Sequence, residues 1–169
     1  NAVKIYWNDG GQILPPHDVG IIEQVMEHVD NIKACDFDEA VRSGDVTICT
    51  AEIDELYRSA VVEHCIPPRL SSDSQTARGL KVIYSPLHGV GGFVVPAILQ
   101  ACQFDNVVVF PDHAEPDPNF TNVPNHVSNP ENPAVFDLII KYAQQEGADI
   151  VLATDPDADR MGCAAPVNL

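Results

Sequence analysis

The sequence predicts an α/β fold, in which a three-layer αβα domain with a mainly parallel sheet follows a hairpin and a helix from a neighbouring domain. A chain of 169 residues with 45% hydrophobic content is long enough to bury one well-packed core. From residue 80 onward, short β-branched runs alternate with runs of helical period, an order that implies right-handed crossovers between parallel strands. The last such run, residues 150–153, is apolar throughout, as expected for a strand covered on both faces.

The first 30 residues predict a hairpin followed by a helix, and we assign them to the C-terminal remnant of a neighbouring domain. Two short strands, residues 3–7 and 12–14, flank the strong turn signal Asn8-Asp9-Gly10-Gly11. The helix follows with Asp18 as the expected N-cap, and we expect His17 to hold the turn before it. Its apolar positions follow a helical stripe at Ile21, Ile22, Val25, Met26 and Val29.

Residues 31–50 are polar and weakly periodic, which predicts a connection between two domains. A second amphipathic helix follows and is expected to stop before Pro67 and Pro68. Residues 69–78 are rich in Ser, Asp and Thr, a composition typical of a surface loop.

Residues 51–169 form the predicted αβα domain. The expected strands are 80–84, 107–110 and 149–154, and the expected helices between them are 91–102, with Pro96 near its first turn or at a kink, and 133–147, with Asn132 as N-cap and Gly147 as C-terminal stop. The segment 111–132 is too long for an ordinary connection. No further element is expected after the last strand.

The charge and the cysteines limit the possible functions. The formal net charge of −16 argues against binding nucleic acid or an anionic membrane, because both reward a basic surface. Five widely spaced cysteines without a C-x-x-C pair argue against a disulfide framework or a zinc site, so we expect a reducing cytoplasm. Within the 169 residues no apolar run is long enough to span a bilayer, and no signal-peptide pattern appears.

Three carboxylates, Asp155, Asp157 and Asp159, follow the last predicted strand at every second position, and Arg160 comes directly after them. Confined to one short loop, the carboxylates repel one another unless a hard divalent cation lies among them, and oxygen ligands favour Mg²⁺ or Ca²⁺ over zinc. An EF-hand starting at Asp155 is excluded, since its sixth and twelfth positions would be Arg160 and Pro166. The alternative is a solvated acidic turn.

The stretch Thr154-Asp155-Pro156-Asp157-Ala158-Asp159-Arg160 resembles the magnesium loop of the α-D-phosphohexomutases, the phosphoglucomutase and phosphomannomutase superfamily. The resemblance is strongest to the bacterial phosphoglucomutase and phosphopentomutase branch. Other stretches agree with the family in the expected order: Lys4-Ile5-Tyr6-Trp7, Gly11-Gln12-Ile13 with Pro16-His17-Asp18, Pro86-Leu87-His88-Gly89-Val90-Gly91, and Asn129-Pro130-Glu131.

The resemblance implies an intramolecular phosphotransferase that acts on a sugar phosphate through an enzyme phosphoserine. By its correspondence, Asp155, Asp157 and Asp159 are the Mg²⁺ ligands and Arg160 is a catalytic and phosphate-binding residue. Lys4 matches a family lysine considered for proton transfer, and His88 is a weaker candidate for substrate binding.

The family's phosphoserine loop has a Ser-His-Asn-Pro core, which lies upstream of the segment that residue 1 matches. This motif is absent from the 169 residues, so we expect the chain to be part of a longer protein and to lack mutase activity on its own. The sequence leaves the sugar open among glucose, mannose and pentose phosphates.

Two other function classes stay open. One is a non-catalytic cation-binding or interaction domain of Rossmann-like fold. The other is a Mg²⁺-dependent phosphatase in which an Asp of the acidic loop is the nucleophile, although such loops usually follow the first strand and this one follows the third. The Gly-rich loop 85–92 lacks the Lys-Ser/Thr of a P-loop, so we favour tight-turn packing for it over a phosphate cradle.

Overall fold

The computed structural model describes residues 4–65 and 79–167. The chain divides into two compact units, Asn1–Cys49 and Thr50–Leu169, which are called unit 1 and unit 2 below. The division lies next to the predicted start of the αβα domain at residue 51. The three-part organisation into residues 1–30, 31–50 and 51–169 stays a prediction, and the predicted loop 69–78 lies outside the described residues.

Unit 1 begins with the predicted hairpin. Tyr6 and Gln12 form an antiparallel bridge, and the backbone N–H of Trp7 donates to the Gly11 carbonyl at 2.8 Å. Gly10 has a φ of 81° in the connecting turn, a left-handed conformation that side chains other than glycine rarely adopt. The Asn-Asp-Gly-Gly signal in the sequence therefore corresponds to the backbone geometry that the turn requires.

Helix α1, His17–His28, follows the hairpin. Asp18 was predicted as its N-cap, and this is wrong, because the helix already begins at His17 and Asp18 lies in its first turn, where it accepts from the Val19 N–H at 2.7 Å. Pro16, which has no N–H to lose, takes the position before the helix. The His17 ring stacks on Trp7 with centroids 4.6 Å apart, in agreement with the expected structural role of His17.

The predicted connection, residues 31–50, contains a helix that its weak periodicity did not indicate. Helix α2, Phe37–Ser43, is capped at its start by Asp36, whose side chain accepts from the Glu39 N–H at 2.9 Å, and at its end by Gly44 with a φ of 85°. Local capping thus defines this element rather than an apolar stripe.

Unit 2 follows the predicted alternation of strands and helices. Its elements are α3 Thr50–His64, β1 Val82–Ser85, α4 Gly91–Ala101, β2 Val107–Val109, α5 Pro111–Ala114, α6 Phe136–Glu146, β3 Ile150–Thr154 and β4 Met161–Ala164. The 3-10 turns of the described chain are Val29–Asn31, Pro124–His126 and Pro133–Val135. Pro96 lies in the second turn of α4 rather than the first.

The helix predicted for residues 133–147 forms in two parts. The Asn132 side chain accepts from the Ala134 N–H at 3.1 Å and caps the 3-10 turn that leads into α6. Gly147 ends α6 with a φ of 62°. Both predicted ends are therefore confirmed.

The sheet has the strand order β2-β1-β3-β4. Strand β1 is parallel to both β2 and β3, which confirms the mainly parallel sheet. Strand β4 pairs antiparallel with β3, with Leu152 opposite Cys163. The expectation that no element follows β3 is wrong, because the acidic loop turns the chain back onto the sheet.

The core lies between the sheet and α6. All four residues of β1 are buried, which requires cover on both faces of that strand. Helix α6 contacts β1 and β3, α4 contacts β2, and α3 contacts α4. The buried apolar residues of this core include Ile83, Leu87, Phe110, Val135, Phe136, Ile139, Ala143, Val151 and Ala153. Within the two described ranges, no helix is both long enough and apolar enough to cross a membrane.

Candidate metal and phosphate site

The acidic loop connects the carboxyl end of β3 to the start of β4. The N–H of Asp155 donates to the Arg160 carbonyl at 3.3 Å, and the N–H of Ala158 donates to the Asp155 carbonyl at 3.1 Å. Ala158 has a φ of 60°, which lets the loop reverse direction between the two strands. In open α/β sheets this edge is where ligands bind.

The structure brings the three predicted metal ligands together. One carboxylate oxygen from each of Asp155, Asp157 and Asp159 lies within 4.8 Å of the others. Asp155 is buried, with 2% of its surface exposed, whereas Asp157 and Asp159 are exposed. An all-oxygen donor set with one buried and two exposed carboxylates fits a hard divalent cation such as Mg²⁺ or Ca²⁺.

Arg160 orients Asp155 through two hydrogen bonds. Its Nε donates to Oδ2 at 2.9 Å and its backbone N–H donates to Oδ1 at 3.1 Å. Its Nε also lies 3.9 Å from Oδ1 of Asp159. The hydrogen bond to Asp155 raises the pKa of the Arg160 guanidinium above its ordinary value, with smaller contributions from the neighbouring carboxylates. About half of the side chain, 47%, is exposed, so its outer nitrogens are accessible to a ligand.

Asn129 and Glu131 also lie beside Arg160, and the sequence did not indicate this contact. Nη1 of Arg160 lies 3.4 Å from Oδ1 of Asn129 and 4.0 Å from Oε1 of Glu131. Asn129 Oδ1 also accepts from the Glu131 N–H at 2.9 Å, a hydrogen bond within the same loop. Because 31 residues separate Asn129 from Arg160, no local spacing could have shown that they meet.

The Gly-rich loop, residues 85–92, packs directly against the acidic loop. A Cβ on Gly89 would lie 2.7 Å from the Pro156 carbonyl oxygen, so no side chain fits there. The Val90 N–H donates to the same carbonyl at 2.9 Å. Gly91 is equally confined, since a Cβ would collide with the hydroxyl oxygens of Tyr84 and Thr154. The packing role favoured for these glycines is therefore the one that the structure supports.

Tyr84 and Thr154 join the ends of β1 and β3 beneath the loop. Their hydroxyl oxygens are 2.8 Å apart and buried. Burial raises the pKa of the Tyr84 phenol, and the hydrogen bond with Thr154 partly offsets this. This hydrogen bond holds together the strand ends that carry the acidic loop. Neither hydroxyl group is suited to proton transfer near neutral pH.

His88 is buried under the segment 111–132, with 7% of its surface exposed. Its Nδ1 lies 2.8 Å from the Glu115 carbonyl oxygen and donates a hydrogen bond to it. In the described chain Nε2 has no hydrogen-bond partner. Substrate binding by His88 stays a prediction, and the bond to Glu115 shows that the residue also holds this segment.

His113 forms a buried polar contact that sequence reasoning missed. Its Nε2 faces the Asn122 carbonyl at 3.1 Å, and its Nδ1 lies 2.9 Å from the Ser85 hydroxyl. Since Nε2 must donate to the carbonyl, Nδ1 accepts from Ser85. Burial lowers the pKa of His113 below its ordinary value of 6.5, so the ring is neutral near pH 7. Because this pair is fully buried, it stabilises the fold rather than acting on a ligand.

Asp117 orders the segment 111–132 locally. It accepts from the Asn119 N–H at 2.8 Å and from the Thr121 N–H at 2.9 Å. These bonds, and foremost one from the Thr121 side chain, lower the pKa of Asp117 to about 2. The segment 111–132 is therefore stabilised by hydrogen bonds within its own turns, and it places Asn129 next to Arg160.

Lys4 lies in unit 1, at the start of the hairpin, and is exposed. Its predicted role in proton transfer depends on the arrangement of the two units and stays a prediction.

Residues 56–167 match the family model of the phosphoglucomutase/phosphomannomutase α/β/α domain II. The matched range contains the acidic loop, the Gly-rich loop and the whole sheet. The chain belongs to the phosphoglucomutase/phosphomannomutase family. The phosphohexomutase resemblance of the sequence is thereby confirmed.

Curated relatives in this family carry several related names. The chain is 34% identical over 168 residues to a phosphoglucomutase of Staphylococcus saprophyticus, covering 96% of this chain and 28% of the relative. It is 32% identical to a probable phosphoribomutase of Schizosaccharomyces pombe, covering 99% and 28%, and 32% identical to human glucose 1,6-bisphosphate synthase, covering 97% and 26%. The chain thus spans little more than a quarter of the length of these relatives.

Solved structures support the fold. A phosphoglucomutase/phosphomannomutase family protein from Burkholderia thailandensis matches with a TM-score of 0.51 and 23% identity, covering 67% of this chain and 21% of that one. A phosphomannomutase from Thermus thermophilus, titled as putative, matches with the same TM-score and 22% identity, covering 68% and 24%. At these identities the likeness concerns the α/β fold alone.

Proposed function

We propose that this chain supplies the magnesium-binding domain of a phosphohexomutase, an isomerase that moves a phosphoryl group between the 1- and 6- (or 5-) positions of a sugar phosphate through an enzyme phosphoserine. The observation that carries the proposal is the set of three carboxylates within 4.8 Å of one another, with Arg160 bonded to the buried member. A solvated acidic turn would not need a guanidinium held against its buried carboxylate.

Asp155, Asp157 and Asp159 would hold Mg²⁺ through carboxylate oxygens. Bound there, Mg²⁺ would neutralise the charge of a phosphoryl group during transfer. Asp155 is the oriented member of the set, because both of its oxygens accept hydrogen bonds from Arg160. Asp157 and Asp159 are exposed and supply the open side of the site, where phosphate oxygens would complete the coordination.

Arg160 would bind the transferred phosphate. Its Nε is committed to Asp155, and the exposed end of its guanidinium can donate to phosphate oxygens. Asn129 and Glu131 lie at 3.4 and 4.0 Å from Nη1 and limit where that end can point. These contacts would restrict the guanidinium to conformations that face a bound phosphate.

Two further residues have weaker support. Lys4 would assist proton movement at the sugar hydroxyl, as its resemblance implies. His88 would contact the substrate only through Nε2, the ring nitrogen that has no partner among the residues described.

The substrate class we propose is a phosphorylated hexose or pentose. The relatives' names include phosphoglucomutase, phosphoribomutase, phosphopentomutase and glucose 1,6-bisphosphate synthase, and sugar phosphates are common to this chemistry. We expect a cytoplasmic protein, and the net charge of −16 argues against binding to nucleic acid or to an anionic membrane.

The metal site is tested by calorimetric titration of the chain with Mg²⁺. Asp157→Asn should weaken binding at least tenfold, because it removes one of three ligand charges without changing side-chain size. Asp38→Asn is the matched control, since it removes the same charge from an exposed position on α2 and should leave binding unchanged. Assayed with glucose 1-phosphate, all three samples should show no turnover, since none contains the Ser-His-Asn-Pro sequence.

Equal Mg²⁺ binding by the two variants would contradict the metal site and attribute binding to the general acidity of the chain. Turnover by the unmodified chain would contradict the requirement for an enzyme phosphoserine. Metal binding combined with a parent protein that lacks the serine loop would favour the alternative, a non-catalytic cation-binding domain of Rossmann-like fold.

A further inference from the structure

Two cysteines that are distant in sequence meet at the ends of α3 and α4. Sγ of Cys65 lies 3.1 Å from Sγ of Cys102, although 37 residues separate them. Cys65 directly follows α3, and Cys102 is the C-cap residue of α4. All five cysteines are free thiols, and within the described chain this is the close sulfur pair.

The backbone at both positions is held in place. The Cys65 N–H donates to the Val62 carbonyl at 3.1 Å, and the Cys102 N–H donates to the Ile98 carbonyl at 2.9 Å. Helices α3 and α4 also pack against each other, so the sulfurs approach from two supported helix ends. At 3.1 Å, the two sulfurs are about 1 Å further apart than in a disulfide bond.

We propose that Cys65 and Cys102 form a reversible disulfide when the chain meets a two-electron oxidant such as hydrogen peroxide. The Cys65 thiolate attacks one peroxide oxygen, and the O–O bond breaks to release hydroxide, which leaves a sulfenic acid on Cys65. Sulfur of Cys102 then attacks sulfur of Cys65, and the hydroxyl group leaves as water with the thiol proton. Two thiols are oxidised, and one peroxide is reduced to two waters.

The two thiols differ in a way that assigns their roles. Cys65 is exposed and meets a solution oxidant first, whereas Cys102 is half-buried. The hydrogen bond with Cys65, together with burial, raises the pKa of the Cys102 thiol above its ordinary value. Cys102 therefore stays protonated and acts as the resolving thiol, while Cys65 is the residue first oxidised.

The bond would connect α3 to the sheet-bearing part of unit 2. Closing a loop of this length restricts the unfolded chain, and we expect the midpoint of thermal unfolding to rise by about 10 °C on oxidation. Treatment with dithiothreitol should reverse this rise. The site lies apart from the acidic loop, so the proposal does not depend on the proposed mutase function.

Peptide mapping of the full chain tests the pairing directly. Trypsin places the five cysteines in five separate peptides, and those with Cys65 and Cys102 are residues 59–69 and 82–141. After treatment with one equivalent of hydrogen peroxide and digestion without reductant, these two peptides should be joined, with a loss of two hydrogens. Free thiols in the denatured chain should fall from five to three.

Cys65→Ser should abolish both the joined peptide and the thermal shift, and Cys163→Ser should keep both, since Cys163 is another exposed cysteine in unit 2. Cys102→Ser should trap the sulfenic acid on Cys65, detectable as a dimedone adduct. The proposal is overturned if peroxide leaves peptides 59–69 and 82–141 separate, or if it joins Cys65 to the other cysteines as often as to Cys102.

Discussion

Helices α1 and α6 have the same kind of amphipathic sequence and very different surroundings. In α6, Phe136, Ile139 and Ala143 are buried against the sheet, and Ile139 is fully buried. Among the described residues of α1 none is buried, and Ile22 and Met26 are 59% and 67% exposed. An apolar stripe therefore predicts that a helix forms, whereas its burial depends on a partner surface, which the sheet provides for α6.

The largest expected difference between the two units comes from removing one isoleucine side chain from each. Ile139→Ala should lower the free energy of unfolding of unit 2 by about 2 to 5 kcal/mol, because it leaves a cavity in a fully buried position. Ile22→Ala should change that of unit 1 by less than about 0.5 kcal/mol, since the side chain is mostly exposed. Urea unfolding followed by circular dichroism measures the first change, and the fluorescence of Trp7, the single tryptophan, follows unit 1. Equal losses would show that α1 is packed as tightly as α6.

A smaller difference in stability is expected between alanine substitutions at two glycines, one in each unit. Gly89→Ala should destabilise unit 2 by about 1 to 3 kcal/mol, since the new methyl group meets the backbone of Pro156 and forces the two loops apart. Gly20→Ala meets no atom within 4 Å and lies within α1, so it should stabilise that helix by up to about 1 kcal/mol.

Thermal unfolding of the two glycine variants and the parent chain measures both effects. The Mg²⁺ affinity of Gly89→Ala should also fall, because Pro156 lies between Asp155 and Asp157. A Gly89→Ala chain as stable as the parent would show that the Gly-rich loop does not support the acidic loop.

The smallest effect concerns the pH dependence of stability. His113 has a pKa below 6.5 in the folded chain, so the unfolded chain takes up a proton first as the pH falls. The free energy of unfolding of unit 2 should therefore decrease from pH 6.5 downward until the folded-state pKa is reached. The slope should correspond to the uptake of at most one proton on unfolding. In His113→Gln this part of the slope should be lost.

Urea midpoints measured at intervals between pH 7 and 5 give these slopes. His28→Gln, which changes an exposed side chain in α1, is the control and should retain the slope of the parent chain. A slope that persists in His113→Gln would assign the proton uptake to another group.

Much of unit 2 could be predicted because its signals are local. The alternation of β-branched and helical runs predicted β1, β2, β3 and the helices between them, and Asn132 and Gly147 marked the ends of the last helical segment. The spacing of Asp155, Asp157 and Asp159 within five residues similarly predicted that their carboxylates meet.

Prediction failed where the deciding contact was made with another part of the chain. Strand β4 has a short, mixed sequence, and it is a strand because its backbone pairs with β3. The start of α1 was misplaced because Pro16 and the preceding hairpin determined where the helix begins, and an isolated capping signal at Asp18 did not show this.

The sequence by itself determined the α/β class, the order of the elements and the composition of the acidic loop, because side-chain periodicity and close spacing act over a few residues. Only the tertiary structure decided that Asn129 and Glu131 contact Arg160, that Ser85 hydrogen-bonds to His113, and that Cys65 meets Cys102. Contacts over such separations depend on how the helices and long loops pack on the sheet, and no local pattern encodes that packing.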